Sequence, residues 1–477
     1  MNGQNLIDGE WRSGIDAFET VNPSDLGEVV GRYSKATESD VARACAAARD
    51  ALPAWSACNM QARADLLRKV GDVLVERRVA VGTLLSREEG KTLAEGVGEA
   101  VYAARCFHFQ AGEVIRAQGQ WYDSGRDGFN IVVTREPVGV IAAITPWNFP
   151  IAIPAWKVAA ALAHGNTVVL KPSNFVPGCA VLLGEILQQA GLPRGVFNLV
   201  LGDGEPTGGA IIDAADGVTF TGGTETGRLV LRRAAETMTK VQMELGGKNA
   251  LVVLDDADLD LAVDIAGNGA WRQTGQRCTG TERLIVTRGI HDAFVERLMN
   301  SAKRLQVGHA LDPDTEIGPV ANRPQLEKNL AFVERARAEG AELATGGECL
   351  KRRTKGLFMA PTLFVGTRSE MWCNQTEAFG PICSVIKVDD LDEAIHVAND
   401  CPYRLSAGIA TAGLSSAERF RRYSRAGMVI VNAPTAGLEY HVPLGARAPS
   451  GFGPRENGLA SSEFFSETKT AYINHGE

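Results

Sequence analysis

Residues 138–144 read Val138-Gly139-Val140-Ile141-Ala142-Ala143-Ile144, a short apolar run without a charge. A helical pattern follows over 151–163, then a second apolar run at 167–170 and another helix over 177–190. The alternation continues with a strand at 196–200, a helix at 207–215, a strand at 218–220 and a helix at 225–236. Strands this short and this apolar are buried on both faces, and helical crossovers keep them parallel. The expected fold is therefore α/β, a doubly wound sheet with helices on both sides. Ligands are expected beyond the carboxyl ends of its strands.

Working outward, a second alternation follows. Strands are expected at 250–254, 283–286, 384–388 and 428–431, with helices at 259–271, 292–304, 325–340 and 391–399. Residues 247–447 thus form a second α/β domain, beside a first built from 1–120 and 139–246. Before residue 120 the legible patterns are helical, at 39–51, 60–78 and 91–112. Residues 120–136 and the tail after Glu463 alternate polar and apolar residues. They are expected to be strands exchanged between subunits, an oligomerisation arm of 121–138 and 463–477 in a homodimer or homotetramer.

The chain has 477 residues, enough for about two or three domains. Hydrophobic residues make up 45% and charged residues 22%, which excludes a disordered, collagenous or coiled-coil protein. The net charge of −8 argues against nucleic acid or an anionic membrane as partner. The first residues lack a basic start followed by an apolar run, so no secretory leader is expected. The weakly polar stretch 138–163 is broken by Pro146, Pro150 and Pro154 and carries Lys157, so it does not read as a membrane span. Nine cysteines, an odd number without a Cys-x-x-Cys pair, fit reduced thiols in a cytoplasmic protein and no metal site.

Four motifs carry the chemistry: Thr145-Pro146-Trp147-Asn148-Phe149-Pro150, Glu244-Leu245-Gly246-Gly247-Lys248, Gly275-Gln276-Arg277-Cys278-Thr279 and Glu377-Ala378-Phe379-Gly380-Pro381. In this order and spacing the chain resembles the aldehyde dehydrogenase superfamily over nearly its whole length. The resemblance implies that Cys278 is the nucleophile, a thiol that attacks an aldehyde and then yields hydride to a nicotinamide. The adjacent Arg277 would favour its thiolate if it pointed that way. Glu244 is implied as the general base that activates water. Relatives that pass the acyl group to coenzyme A generally lack this glutamate, so water is the expected acceptor. Asn148 is implied as an oxyanion donor together with the backbone N–H of Cys278. Trp147 and Phe149 read as packing residues, Trp147 on the cofactor side.

For the cofactor, the resemblance places Lys171 on the adenosine ribose. NAD-preferring relatives often carry a glutamate where Asn174 stands, so the neutral amide implies NAD or NADP, with NADP tolerated and possible as the preferred form. Phe220-Thr221-Gly222-Gly223-Thr224-Glu225 puts a glycine-rich turn before a helix N-terminus, a natural pyrophosphate seat. Glu377 is expected on the nicotinamide ribose and Phe379 beside the ring.

The substrate reading rests on Arg272, six residues before the nucleophile, where relatives that take simple aldehydes carry an aromatic. An arginine there suits a carboxylate at the far end of the substrate. The alternative for Arg272 is a surface or interdomain salt bridge. Succinic semialdehyde dehydrogenases share this arginine but add a second before the lysine where this chain has Trp156-Lys157. The segments Tyr440-His441-Val442-Pro443, Gly453-Pro454-Arg455-Glu456 and Ile151-Ala152-Ile153-Pro154-Ala155-Trp156-Lys157 look instead like α-ketoglutaric semialdehyde dehydrogenases. Ala446-Arg447-Ala448-Pro449 and Glu282 depart from that pattern. Trp156 and Thr435 are expected with Arg272, and Trp121 near them, around the substrate tail. A catalytically silent dinucleotide-binding protein is the reading from a different class.

Overall fold

The computed structural model describes residues 2–116 and 119–476. Met1, Ala117, Gln118 and Glu477, which fall within the expected segments 1–120 and 463–477, lie outside the described residues. The first sheet has eight strands in the order Gly451–Phe452, Lys240–Glu244, Gly217–Thr221, Val140–Ile144, Thr167–Lys171, Phe197–Leu199, Asn5–Ile7 and Glu10–Arg12. Its inner strands are parallel, and antiparallel strands from the two ends of the chain close both edges. Strand order leaves Val140–Ile144 toward Thr167–Lys171 on one side and toward Gly217–Thr221 on the other. A crevice therefore opens beyond the carboxyl ends of Val140–Ile144 and Gly217–Thr221, at this topological switch point.

The second sheet has seven strands in the order Glu342–Thr345, Thr362–Thr367, Ile382–Val388, Thr281–Thr287, Asn249–Val253, Ser406–Ala410 and Met428–Val431. All pairs but the first are parallel. Helices Leu259–Trp271 and His291–Arg304 pack an apolar face containing Trp271, Phe294 and Leu298 onto it. A third, antiparallel sheet joins Gln120–Asp123, Phe129–Pro137 and Ser466–Asn474, with Ser466 opposite Pro137 and Asn474 opposite Phe129.

Residues 2–35, for which the sequence reading offers no element, contain strands, including Asp16–Asn22 and Asp25–Lys35. Asp8-Gly9, both at positive φ, makes the hairpin between Asn5–Ile7 and Glu10–Arg12, and a Asp-Gly pair is a strong local hairpin signal. A helix also occupies Arg78–Glu89, and the next runs Leu93–Glu113, later than the expected start at Lys91. Thr92 caps it: its side chain accepts from the Glu95 N–H while the Glu95 carboxylate accepts from the Thr92 N–H. Helix Glu38–Ser56 runs past residue 51 and carries Pro53 in its last turn. Among the described residues no helix is long and apolar enough to cross a membrane.

Candidate active site

Cys278 sits in the connection between helix Leu259–Trp271 and strand Thr281–Thr287. It therefore approaches from the amino end of a strand in the second sheet, whereas Asn148 and Glu244 follow carboxyl ends in the first. Two cavities meet at this cysteine. One is lined by Trp147, Asn148, Thr221, Gly222, Gly223, Glu377 and Phe379, the other by Glu99, Tyr102, Phe149, Trp156, Arg277 and Thr279. A group on Cys278 can thus be reached from one side by a dinucleotide and from the other by a small substrate. Burial, and then the carboxylates of Glu244 and Glu377, push the Cys278 thiol up to about 12. Arg277 does not form a close ion pair with it; its guanidinium is turned to the carbonyls of Asn268 and Gly269 at the end of the preceding helix.

Asn148 is buried, and its Nδ2 donates to the Gln276 carbonyl at 3.0 Å, beside the nucleophile in sequence. An amide nitrogen carries two hydrogens, so one remains for an oxyanion at Cys278. Lys91 fixes this turn, a role the sequence analysis misses. Its fully buried ammonium donates to the Asn148 carbonyl and to Glu99 Oε2 (2.6 Å), and lies 3.8 Å from the centroid of the Phe149 ring. The other Glu99 oxygen accepts from the Ile151 and Ala152 N–H groups. The Thr92-x-x-Glu95 capping box was the sequence signal that fixes where this lysine stands. Lys91→Met is expected to strand the buried Glu99 charge and cost about 3–5 kcal/mol of stability. Chemical denaturation measures this, and an unchanged midpoint refutes it.

Glu244 ends strand Lys240–Glu244, and its Oε2 accepts from the Ala446 N–H at 3.0 Å. A Cβ at Gly445 would come within 2.5 Å of Glu244 Oε1, so glycine is needed there. Burial and the neighbouring Glu456 carboxylate hold the Glu244 carboxyl well above the ordinary range. Glu456 is itself buried and pairs with Lys157, whose Nζ also donates to Thr219 Oγ1 at 2.7 Å.

The dinucleotide side fits the group the motifs imply. Thr221 Oγ1 is buried, faces this cavity and has no hydrogen-bond partner among the described residues. Helix Thr224–Glu236 begins behind Gly223 with no side-chain cap, leaving its first N–H groups available, and a Cβ at Gly223 would meet only open space. Glu377 Oε1 accepts from the Gly247 N–H at 2.8 Å; burial, then Glu282, push its carboxyl up to about 7. Phe379 stands edge-on to Trp147, with centroids 5.3 Å apart. Glu282, noted as a departure, anchors this turn: it accepts from the Ala378 and Phe379 N–H groups and pairs with Lys248 at 2.5 Å. Lys171 ends strand Thr167–Lys171, and Asn174 lies three residues past it. Burial pushes the Lys171 ammonium down to about 8. Asn174 is not in uncharged surroundings, since its Nδ2 donates to the Asp203 carboxylate at 2.8 Å.

The substrate residues divide. Trp156 lines the second cavity, about 290 Å³ in volume, edge-on to Tyr102. Arg272 is not among the residues that line it: Nη2 reaches Glu316 Oε1 at 2.9 Å and Nη1 the Glu316 carbonyl, a salt bridge of the kind the alternative reading named. The helix ends at Trp271 and Arg272 turns to extended backbone, which swings the side chain toward Glu316. Thr435 is buried below, its hydroxyl donating to the Thr279 carbonyl, and Trp121 is exposed on the arm. These residues do not converge on one tail pocket.

Residues 11–471 match the aldehyde dehydrogenase family. The α-ketoglutaric semialdehyde dehydrogenase of Bacillus subtilis is 39% identical, covering 98% of this chain and 97% of its own length. The corresponding enzyme of Haloferax volcanii is 40% identical, over 99% of each. Among solved structures, an NAD-dependent aldehyde dehydrogenase from Sinorhizobium meliloti superposes with a TM-score of 0.97 at 36% identity, covering 100% of this chain and 95% of that one. A betaine aldehyde dehydrogenase from Staphylococcus aureus in complex with NAD+ gives 0.97 at 34% identity, over 99% and 95%. With the sequence, the two-sheet fold and a cysteine at the meeting of two cavities in agreement, this chain belongs to the aldehyde dehydrogenase family and is an NAD(P)-dependent oxidoreductase.

Proposed function

We propose that this enzyme oxidises a semialdehyde with a carboxylate at its far end, and that the substrate is α-ketoglutaric semialdehyde, converted to 2-oxoglutarate. The observation that carries this reading is the near full-length likeness to α-ketoglutaric semialdehyde dehydrogenases of two organisms. Succinic semialdehyde, the shorter acid, is the competing substrate; the absence of an arginine before Lys157 weighs against it.

Cys278 gives up its proton to solvent water, and its thiolate attacks the aldehyde carbon. The Asn148 amide and the Cys278 backbone N–H stabilise the resulting alkoxide. The thiohemiacetal on Cys278 loses hydride and becomes a thioester; the nicotinamide of a bound dinucleotide supplies the hydride acceptor. Glu244 takes a proton from water, the hydroxide adds to the thioester, and the acid leaves with the sulfur restored. Thr221, Gly222 and Gly223 would hold the pyrophosphate, Glu377 the nicotinamide ribose, Trp147 and Phe379 the ring, and Lys171 with Asn174 the adenosine ribose. Asp203 beside Asn174 supports NAD over NADP, because a 2′-phosphate there would meet a carboxylate whose charge Lys35, 3.1 Å away, offsets only in part. The arm of 121–138 and 463–477 joins copies of the chain into a homo-oligomer, and the unpaired cysteines suit a cytoplasmic enzyme.

Cofactor reduction with α-ketoglutaric semialdehyde, succinic semialdehyde and an uncharged aldehyde of similar length tests the substrate, each run with NAD and NADP. The acids are expected to lead in kcat/KM, α-ketoglutaric semialdehyde first, with NAD preferred. Asp203→Asn is expected to shift the NADP/NAD ratio upward by roughly 3- to 10-fold. Equal use of the uncharged aldehyde removes the carboxylate reading.

A further inference from the structure

The charged groups around the substrate cavity can be accounted for one by one. Glu95 accepts from the Gln273 and Thr92 N–H groups, both at 3.0 Å. Glu99 accepts from the Ile151 and Ala152 N–H groups and pairs with Lys91. Both carboxylates are thus occupied. Arg277 is only partly so: the nearby Glu95 carboxylate supports its charge, but among the described residues it forms no ion pair within 4 Å, and its Nε is buried without an acceptor. Only Nη2 is engaged, by the Asn268 and Gly269 carbonyls. The Trp156 indole N–H, on the same wall, is also buried without an acceptor. The Tyr102 hydroxyl accepts from Asn457 Nδ2 at 3.3 Å, which leaves its own hydrogen to give. Gln273 completes the wall; among the described residues its Oε1 is the one acceptor there that is buried without a donor, and turning the amide would present its NH2 instead.

A wall of donors that lack acceptors, one of them cationic, is matched by a ligand made of acceptors alone. An oxo acid is such a ligand, and an alkyl aldehyde is not. We propose that Arg277, and not Arg272, binds the far carboxylate of the substrate, making the residue beside the nucleophile the selector for acidic aldehydes. Burial pushes the guanidinium down to about 10, so it remains cationic at neutral pH. A carboxylate arriving there restores the hydrogen bonds that burial took from it. The inference rests on the carboxylate reading above and adds the residue responsible for it.

Arg277→Gln and Arg277→Lys, with Arg272→Ala beside them, are compared with wild type on α-ketoglutaric semialdehyde and pentanal. The acid-to-pentanal ratio of kcat/KM is expected to fall roughly 10- to 100-fold in Arg277→Gln, mostly through KM for the acid. Arg277→Lys is expected to recover part of it, and Arg272→Ala to keep the wild-type ratio. A second readout needs no turnover: 2-oxoglutarate is expected to slow alkylation of Cys278 by iodoacetamide in wild type and not in Arg277→Gln. A wild-type preference for the acid that survives in Arg277→Gln, or collapses in Arg272→Ala, overturns the inference while the substrate reading stands. No acid preference in wild type removes both.

Discussion

Cys278→Ala is expected to lose aldehyde oxidation by roughly four orders of magnitude or more, because no other group at the meeting of the two cavities can form the thiohemiacetal. Asn148 and Glu244 remain in that variant, but an oxyanion seat and a base have nothing to act on. Steady-state cofactor reduction measures the loss, and residual turnover near wild type refutes the nucleophile. The environment also fixes how the wild-type thiol titrates. It is pushed up to about 12, so it is protonated at neutral pH and its thiolate grows as pH rises. Alkylation of Cys278 in the cofactor-free enzyme is therefore expected to accelerate about tenfold per pH unit between about pH 7 and 9. Mass spectrometry of the modified peptide follows the rate; a flat profile means a thiolate already formed at neutral pH.

Glu244→Gln is expected to separate the two halves of the reaction. The amide can still accept from the Ala446 N–H, so the local structure is retained, but it cannot take a proton from water. Hydride transfer then proceeds once per site and the thioester persists. Stopped-flow absorbance should show a stoichiometric burst of reduced cofactor, followed by a steady state lowered by roughly 10²- to 10⁴-fold. Because burial and Glu456 raise the Glu244 carboxyl, its basic form in wild type is gained only above the ordinary carboxylate range, and steady-state turnover should rise with pH. A variant with no burst and unchanged turnover refutes the assignment.

The alternation starting at Val138 was enough to reveal both parallel sheets, because strands buried on two faces must be apolar throughout. The strands before residue 35 were hidden for the complementary reason: they are short or partly exposed, and Asp16–Asn22, an edge strand, carries more polar than apolar side chains. Cys278, Glu244 and Asn148 were legible because the motif fixes the residue and the fold fixes only its surroundings. Those surroundings were not legible. Lys91, Glu99 and Glu282 act through contacts with residues remote in sequence, and the capping box beside Lys91 fixes where it stands but not what it touches. Arg272 and Arg277 show the same limit at close range. Two arginines in one short segment are equivalent on paper, and the chain's exit from the helix at Trp271 decides which faces the cavity.

The order in which the chain is made gives the edge strand Gly451–Phe452 a further meaning. It completes the first sheet by pairing with Lys240–Glu244, and the same returning segment supplies Glu456 to Lys157 and the Ala446 N–H to Glu244. On the ribosome, the first domain is therefore held with an open sheet edge and a lysine lacking its counter-charge until nearly the whole chain has emerged. The first sheet cannot be completed before that segment arrives, and removing the segment would strip Glu244 and Lys157 of these partners.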